Sequence, residues 1–323
     1  MHPDAWCGRD VTADAHHVLA RRVLYRLITE VGFLRGMRSD QVTGLSPLEV
    51  LFEASPGTEA PLPSALASAY GRLVFTFTDD QPHVAANFVE TLDGVVSLGI
   101  RGKAGGGPIS GSNQHDRLVM GLLRSVADAV VVGAGTLRSV PNHIWTPEYI
   151  FPDLAGEYAQ LRSQLGKPPH PLNVIVTGSG DLDPDFAILK QREVPVHVLT
   201  TEQGAAKMGP RLQHVGRSVV AETGTIPAKD ILRALQQMGM VRLVLLETGP
   251  QLTSVFLAER ALDELFLTVA PQVAGRDDSS KRPGLASGHR FAPDDPRWAK
   301  LVSVRRGDNH LFLRYSLRYG HDA

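Results

Sequence analysis

Cysteine is almost missing from this 323-residue chain, which carries only Cys7. One thiol can neither close an intramolecular disulfide nor build a cysteine zinc site. Cys7 therefore reads as a free thiol near a loose terminus, and the reducing cytoplasm as the matching compartment. Charge of either sign is not in excess: the net charge is −1, with no long basic run. That argues against binding driven by nucleic-acid or anionic-membrane electrostatics. No apolar run of about 18 residues is present to span a bilayer. Residues 1–10 lack the basic-then-apolar order of a secretory signal. Several catalytic motifs are missing too. His16, His17, His115, His143 and His170 show no metal-ligand spacing, and the zinc-deaminase signature is absent. So are the Gly-x-Ser-x-Gly elbow and the Walker loop. No metal is expected.

What remains is an ordinary globular composition, 43% hydrophobic and 21% charged. Residues 1–70 stand apart as an N-terminal extension. It has an amphipathic helical pattern over Val18–Phe33 (Leu19, Val23, Leu27, Val31) and a Pro-rich linker at Ser55–Pro63. Residues 71–323 read as one larger domain. From residue 83 on, the spacing predicts strands at His83–Val89, Asp128–Val132, Leu172–Thr177, Val194–Thr200, Arg217–Ala221, Val241–Glu247, Asp263–Ala270, Leu301–Arg306 and His310–Leu317. It predicts helices at Asn113–Ala127, Glu157–Leu165, Pro227–Met238 and Gln251–Glu259, and a hairpin turn at Gly307-Asp308-Asn309. Trp145 and Trp298 read as packing residues. Strand–helix–strand units followed by an antiparallel pair imply an α/β fold. Its sheet is mixed but mostly parallel, flanked by helices on both faces, with an antiparallel C-terminal edge.

Ligand sites in such sheets lie at the C-terminal strand ends, and three strands here end in small or acidic residues. Val130-Val131-Val132 runs into Gly133-Ala134-Gly135-Thr136, where glycines allow close backbone approach to a phosphate. The motif lacks the third glycine and the distal acid of a dinucleotide fingerprint. Leu245-Leu246 runs into Glu247-Thr248-Gly249-Pro250, just before a helix N-terminus able to receive a pyrophosphate. Glu247, next to an apolar run, needs a partner if it is buried. Asn87-Phe88-Val89-Glu90-Thr91-Leu92-Asp93-Gly94 makes Asp93 a candidate proton donor or a plain turn aspartate. Ser110 and Arg124 bracket a loop-to-helix segment that suits a phosphate, although Arg124 alone reads as a surface residue.

Taken together, Ala86–Gly94, Leu123–Thr136, Leu245–Pro250 and Leu262–Pro271 resemble the reductase domain of riboflavin biosynthesis, a relative of dihydrofolate reductase. The likeness covers about residues 83–318. It implies a dihydrofolate-reductase-like fold, a homodimer, and reduction of the ribose of a phosphoribosylaminopyrimidine (5-amino-6-(5-phosphoribosylamino)uracil or a near analogue) at C1′ by NADPH. Carried onto this chain, the resemblance places Thr91, Gly133, Gly135, Thr136, Thr177, Ser179 and Gly249 at the cofactor. It places Asn87, Ser110 and Arg124 at the substrate, and Asp93 and Glu247 at the proton. The chain departs from the family pattern in three ways. Thr248 replaces a glycine. Ser139–Trp145 replaces an acidic, Pro-containing segment. The preceding deaminase domain is absent, which implies a stand-alone reductase. The alternatives are a paralogue reducing a pterin or another heterocycle, and a non-catalytic nucleotide-binding protein.

Overall fold

The structure, a computed structural model, describes residues 44–54, 56–78, 81–100, 105–209, 212–239, 241–277 and 282–317. Cys7 and the expected helix at Val18–Phe33 lie outside them. In chain order the strands are β1 (Glu49–Glu53), β2 (Thr58–Glu59), β3 (Val74–Phe75), β4 (His83–Thr91), β5 (Ala129–Gly133), β6 (Leu172–Thr177), β7 (Val196–Thr201), β8 (Gly216–Ala221), β9 (Leu243–Leu246), β10 (Glu264–Ala270), β11 (Lys300–Gly307) and β12 (His310–Ser316). The principal helices are α1 (Ser64–Tyr70), α2 (Gln114–Val126), α3 (Ala134–Ser139), α4 (Ala155–Gln164), α5 (Ala228–Gln237) and α6 (Pro250–Ala258).

Among the described residues, ten strands form one sheet in the order β1-β11-β12-β10-β4-β9-β5-β6-β7-β8. Pairing is parallel from β10 to β8 and antiparallel from β10 through β12 and β11 to β1. The unbroken apolar runs of β5 and β9 follow from burial on both faces. Val130, Val132, Leu243 and Leu245 join the core under α2 and α4, whereas Ala129, Val131, Val244 and Leu246 join the core under α5 and α6.

The sheet begins before residue 70. β1 pairs with β11, and Arg305 on β11 reaches back to Glu53 Oε2 at 2.6 Å and to the Tyr70 carbonyl at 3.0 Å. The part of the N-terminal segment from residue 44 on thus packs on the body. Sequence periodicity missed β1 because its centre, Val50-Leu51-Phe52, is exposed on both faces and shows no alternation. Trp298 is exposed rather than packed. Gly307 ends β11 instead of sitting in the turn, paired with His310 across Asp308-Asn309. A Cβ there would lie 2.6 Å from Leu48 and 2.8 Å from the His115 ring. The edge is knitted by Arg314, which donates to both Glu264 oxygens and to the Val74 carbonyl, between the rings of Phe75 and Phe266.

α2 carries several site residues and is fixed at both ends. Asn113 Oδ1 accepts the Asp116 N–H at 3.0 Å, an N-cap. At the other end the buried Arg162 guanidinium donates to the carbonyls of Arg124, Ser125 and Ala127 at 3.2, 3.1 and 2.9 Å. These are terminal carbonyls that the helix itself leaves unpaired. Burial pulls the Arg162 guanidinium down to about 10.

Candidate active site

Strand β9 returns between β4 and β5, so the chain order reverses there. Open α/β sheets leave a crevice at such a point. A cleft of about 1310 Å³ opens over the C-terminal ends of β5, β6 and β9 and along β4, lined among others by Asn87, Ser110, Asp116, Glu247 and His143.

One wall is built of strand-end glycines and a helix N-terminus. Gly133, Gly135, Thr136 and Gly249 line the cleft. A Cβ on Gly135 would meet no atom of the described residues within 4 Å, so the position faces open space among them. Gly249 is the N-cap of α6, followed by Pro250 at the first turn, and aims unpaired N–H groups at the cleft. Thr248 needs no glycine conformation, since its φ is not positive. Its Oγ1 accepts the Gly133 N–H at 3.0 Å and ties the two strand ends together. A glycine-only backbone angle is therefore not required at residue 248. Further along, Thr177 and Ser179 also line the cleft. Both hydroxyls also brace their own turn, accepting the N–H groups of Gly180 at 3.1 Å and Asp181 at 3.3 Å. Sequence reasoning found no cation near this turn. The structure supplies Arg138, exposed on the cleft wall and 3.2 Å from the Asp181 carbonyl. As the first residue after Leu137, it was hidden among ordinary helix-end arginines.

The other wall corrects two expectations. Arg124 is neither a surface residue nor a free phosphate ligand, being fully buried. Its Nε and Nη2 donate to Glu247 Oε1 and Oε2 at 2.8 and 2.7 Å. Nη1 donates to the Thr146 and Ile144 carbonyls at 3.0 and 3.4 Å, and Nη2 also to His143 Nε2 at 2.9 Å. The five N–H groups of an arginine are thereby committed. Glu247 thus has the partner that its burial required. Arg117, one α2 turn from Asn113, is exposed on the cleft wall and makes no side-chain bond to the described residues.

Asp93 and Thr91 do not line the cleft. Asp93 accepts from Thr91 Oγ1 at 2.5 Å and from the N–H groups of Ala274 and Gly275 at 3.0 and 2.8 Å. The Thr91 hydroxyl, then these N–H groups, hold its carboxyl down to about 2. It is a loop anchor, the turn aspartate that sequence left as an alternative, and too weak a base and too strong an acid for proton work near neutrality.

Asn87 faces the cleft with its amide free of hydrogen bonds to the described residues. Ser110 is buried, lines the cleft, and its Oγ makes no well-formed hydrogen bond to the described residues. His143 is a residue that sequence reasoning passed over, since no metal spacing marked it. Its ring lies 4.7 Å from Trp145 and 4.8 Å from Tyr149. A guanidinium can only donate, so Nε2 must accept and the ring proton sits on Nδ1. Burial, then Arg124, pushes the imidazole down to about 3. The ring therefore stays neutral at working pH. No group of three or more potential metal ligands occurs among the described residues, and no described helix is long and apolar enough to cross a membrane.

A mostly parallel sheet with a cleft at its reversal point defines the class, an open-sheet α/β protein. The chain belongs to the RibD C-terminal domain family, whose model matches residues 82–310. It is 24% identical over 219 residues to the riboflavin biosynthesis protein RibD of Aquifex aeolicus, covering 66% of this chain and 53% of that one. The chain thus spans about half the length of that relative. It is 26% identical over 199 residues to the 2,5-diamino-6-ribosylamino-4(3H)-pyrimidinone 5′-phosphate reductase of Methanothermobacter thermautotrophicus, covering 62% of this chain and 82% of that one. Among solved structures it is similar to a pyrimidine reductase-like protein from Corynebacterium diphtheriae. That match has a TM-score of 0.61 and 24% identity, and covers 79% of this chain and 99% of that one.

Proposed function

We propose that the chain is an oxidoreductase that reduces a phosphoribosylated aminopyrimidine, with NADPH as hydride source. The observation that carries this reading is one continuous cleft. It joins a glycine and helix-N-terminus cradle to a polar wall of Asn87, Ser110 and Glu247. The cradle fits a dinucleotide on its own geometry: open space at Gly135, N–H groups at Gly249, and Arg138 beside the far turn for a 2′-phosphate. When bound, the nicotinamide supplies the hydride.

The protein's own residues position and shield. Arg124 holds Glu247 by a two-point ion pair, so that the carboxylate presents fixed acceptor lone pairs to sugar hydroxyls. The Asn87 amide offers a donor and an acceptor to the same wall. With Arg124 saturated, Arg117 takes the substrate phosphate. His143 offers a neutral Nδ1–H donor where the family pattern has acidic residues, and it faces the heterocycle. A homodimer and a cytoplasmic setting belong to the same reading.

The experiment is consumption of NADPH by the purified chain, with 5-amino-6-(5-phosphoribosylamino)uracil and its 2,5-diamino-pyrimidinone counterpart offered separately. Turnover of either is expected. Tight NADPH binding with turnover of neither, and reduction of a pterin instead, would move the assignment to a paralogous reductase.

A further inference from the structure

Any reduction at this site needs a proton as well as a hydride, and the two acids expected to handle it are both committed. Asp93 lies off the cleft as a loop anchor, and Glu247 is locked to Arg124. Among the described residues, only one other acid lines the cleft, Asp116 in the first turn of α2.

Asp116 is 4% exposed and forms no ion pair with the described residues. A carboxylate buried without a cation is costly, so such a group takes up a proton instead. Its neighbours are hydroxyls: Thr268 on β10, and Ser110 from the loop before α2. Ser110 Oγ is itself buried on the cleft wall without a well-formed hydrogen bond to the described residues. Among the described residues, the charged and titratable groups facing Asp116 are His310 on β12 and Glu247 beyond β9. His310 is engaged on both nitrogens, with Asn113 Nδ2 at 3.2 Å and the Ser110 carbonyl at 3.0 Å. An amide nitrogen donates, so His310 Nδ1 accepts, and Nε2–H donates to the carbonyl. His310 thus pins the Ser110 turn against Asp116 without pairing its charge.

We propose that Asp116, kept as a neutral carboxylic acid, is the proton donor of this site, acting through the Ser110 hydroxyl. The inference rests on the reductase reading. In the open-chain substrate, hydride addition to C1′ of the C=N bond forms a C–H bond. The C=N π pair then takes a proton from Ser110 Oγ onto nitrogen, and Ser110 recovers one from Asp116. The resulting Asp116 carboxylate is reprotonated from solvent. The nicotinamide is oxidised by two electrons and C1′ is reduced by two. Burial, the largest influence, raises Asp116 above the usual carboxylate range, against the Thr268 and Ser110 hydroxyls and His310, which lower it.

The test has one arm that needs no turnover. Infrared difference spectra between acid and neutral pH should show the C=O stretch of a protonated carboxylic acid persisting to neutral pH in wild type. The band should be absent from Asp116→Asn. Because the folded-state pKa lies above the unfolded one, the folded protein binds more protons between the two values. Wild-type stability should therefore fall as pH rises through that window, and Asp116→Asn should not show this slope. With substrate, Asp116→Asn should lower kcat by about 100-fold, leaving KM and NADPH affinity within about twofold. Wild-type kcat should decline as pH rises through the Asp116 pKa. Absence of the protonated-acid band in wild type overturns the proposal, whatever the substrate proves to be. So does a kcat for Asp116→Asn within about threefold of wild type. If the band is present but neither pyrimidine is turned over, the substrate assignment fails and the acid at Asp116 stands.

Discussion

Replacing Arg124 with Met should be the most damaging single change in the cleft. Breaking a buried pair by removing one partner leaves the other charge uncompensated, at a cost of about 3–5 kcal/mol. Here Glu247 would be left 8% exposed with no cation, and the carbonyls of Ile144 and Thr146 would lose their donor. Chemical denaturation should show the loss directly. The double variant Arg124→Met with Glu247→Met should recover much of it, because apolar replacement of a whole buried pair is often near neutral. Activity should not return, since the fixed acceptor at Glu247 is gone. A single-variant loss under about 1 kcal/mol would mean that the pair does not organise the site. Recovery of activity in the double variant would remove Glu247 from the substrate wall.

Gly180→Ala should be nearly as severe, for a backbone reason. Gly180 has φ of +67°, and a Cβ there would sit 1.9 Å from the Gly204 carbonyl oxygen. A left-handed conformation costs an ordinary residue about 1–2 kcal/mol. Forcing a carbonyl aside adds about 1–3 kcal/mol of overpacking. The turn it sits in is braced by Thr177 and carries Ser179 on the cleft wall. Stability should drop by about 2–4 kcal/mol, and NADPH affinity by about tenfold or more. Wild-type affinity in this variant would show that the turn does not touch the cofactor.

These two positions also show what could be read without coordinates. The strand ends were legible because burial on both faces forces unbroken apolar runs, and such runs announce where they stop. Val130–Val132 and Leu245–Leu246 pointed straight to the cleft. Individual side-chain roles were less legible, because they depend on partners distant in sequence. Arg124 and Glu247 are separated by 123 positions, so neither spacing nor local pattern joins a supposed surface arginine to a supposed catalytic acid. Asp93 misled for the opposite reason. An acid after a strand is right for catalysis, and only the N–H groups of Ala274 and Gly275 show that it anchors a loop. Asp116 carried one faint signal, an acid three residues after Asn113, the pattern of a capped helix start. Nothing local could say that β10 and β12 close over it. β1 was missed because an exposed edge strand has no buried face to impose a period.

The account depends most on the cofactor lying at the C-terminal ends of β5 and β9, and a fluorescence titration of NADPH tests that placement most directly. Wild type and Gly135→Leu should be compared at matched thermal stability. A leucine at a helical position whose Cβ meets no atom of the described residues within 4 Å should leave the fold intact and fill the cleft. The account predicts saturable NADPH binding by wild type and its loss, by about 100-fold or more, in Gly135→Leu with Tm unchanged. Equal binding by both proteins, or none by wild type, would contradict it.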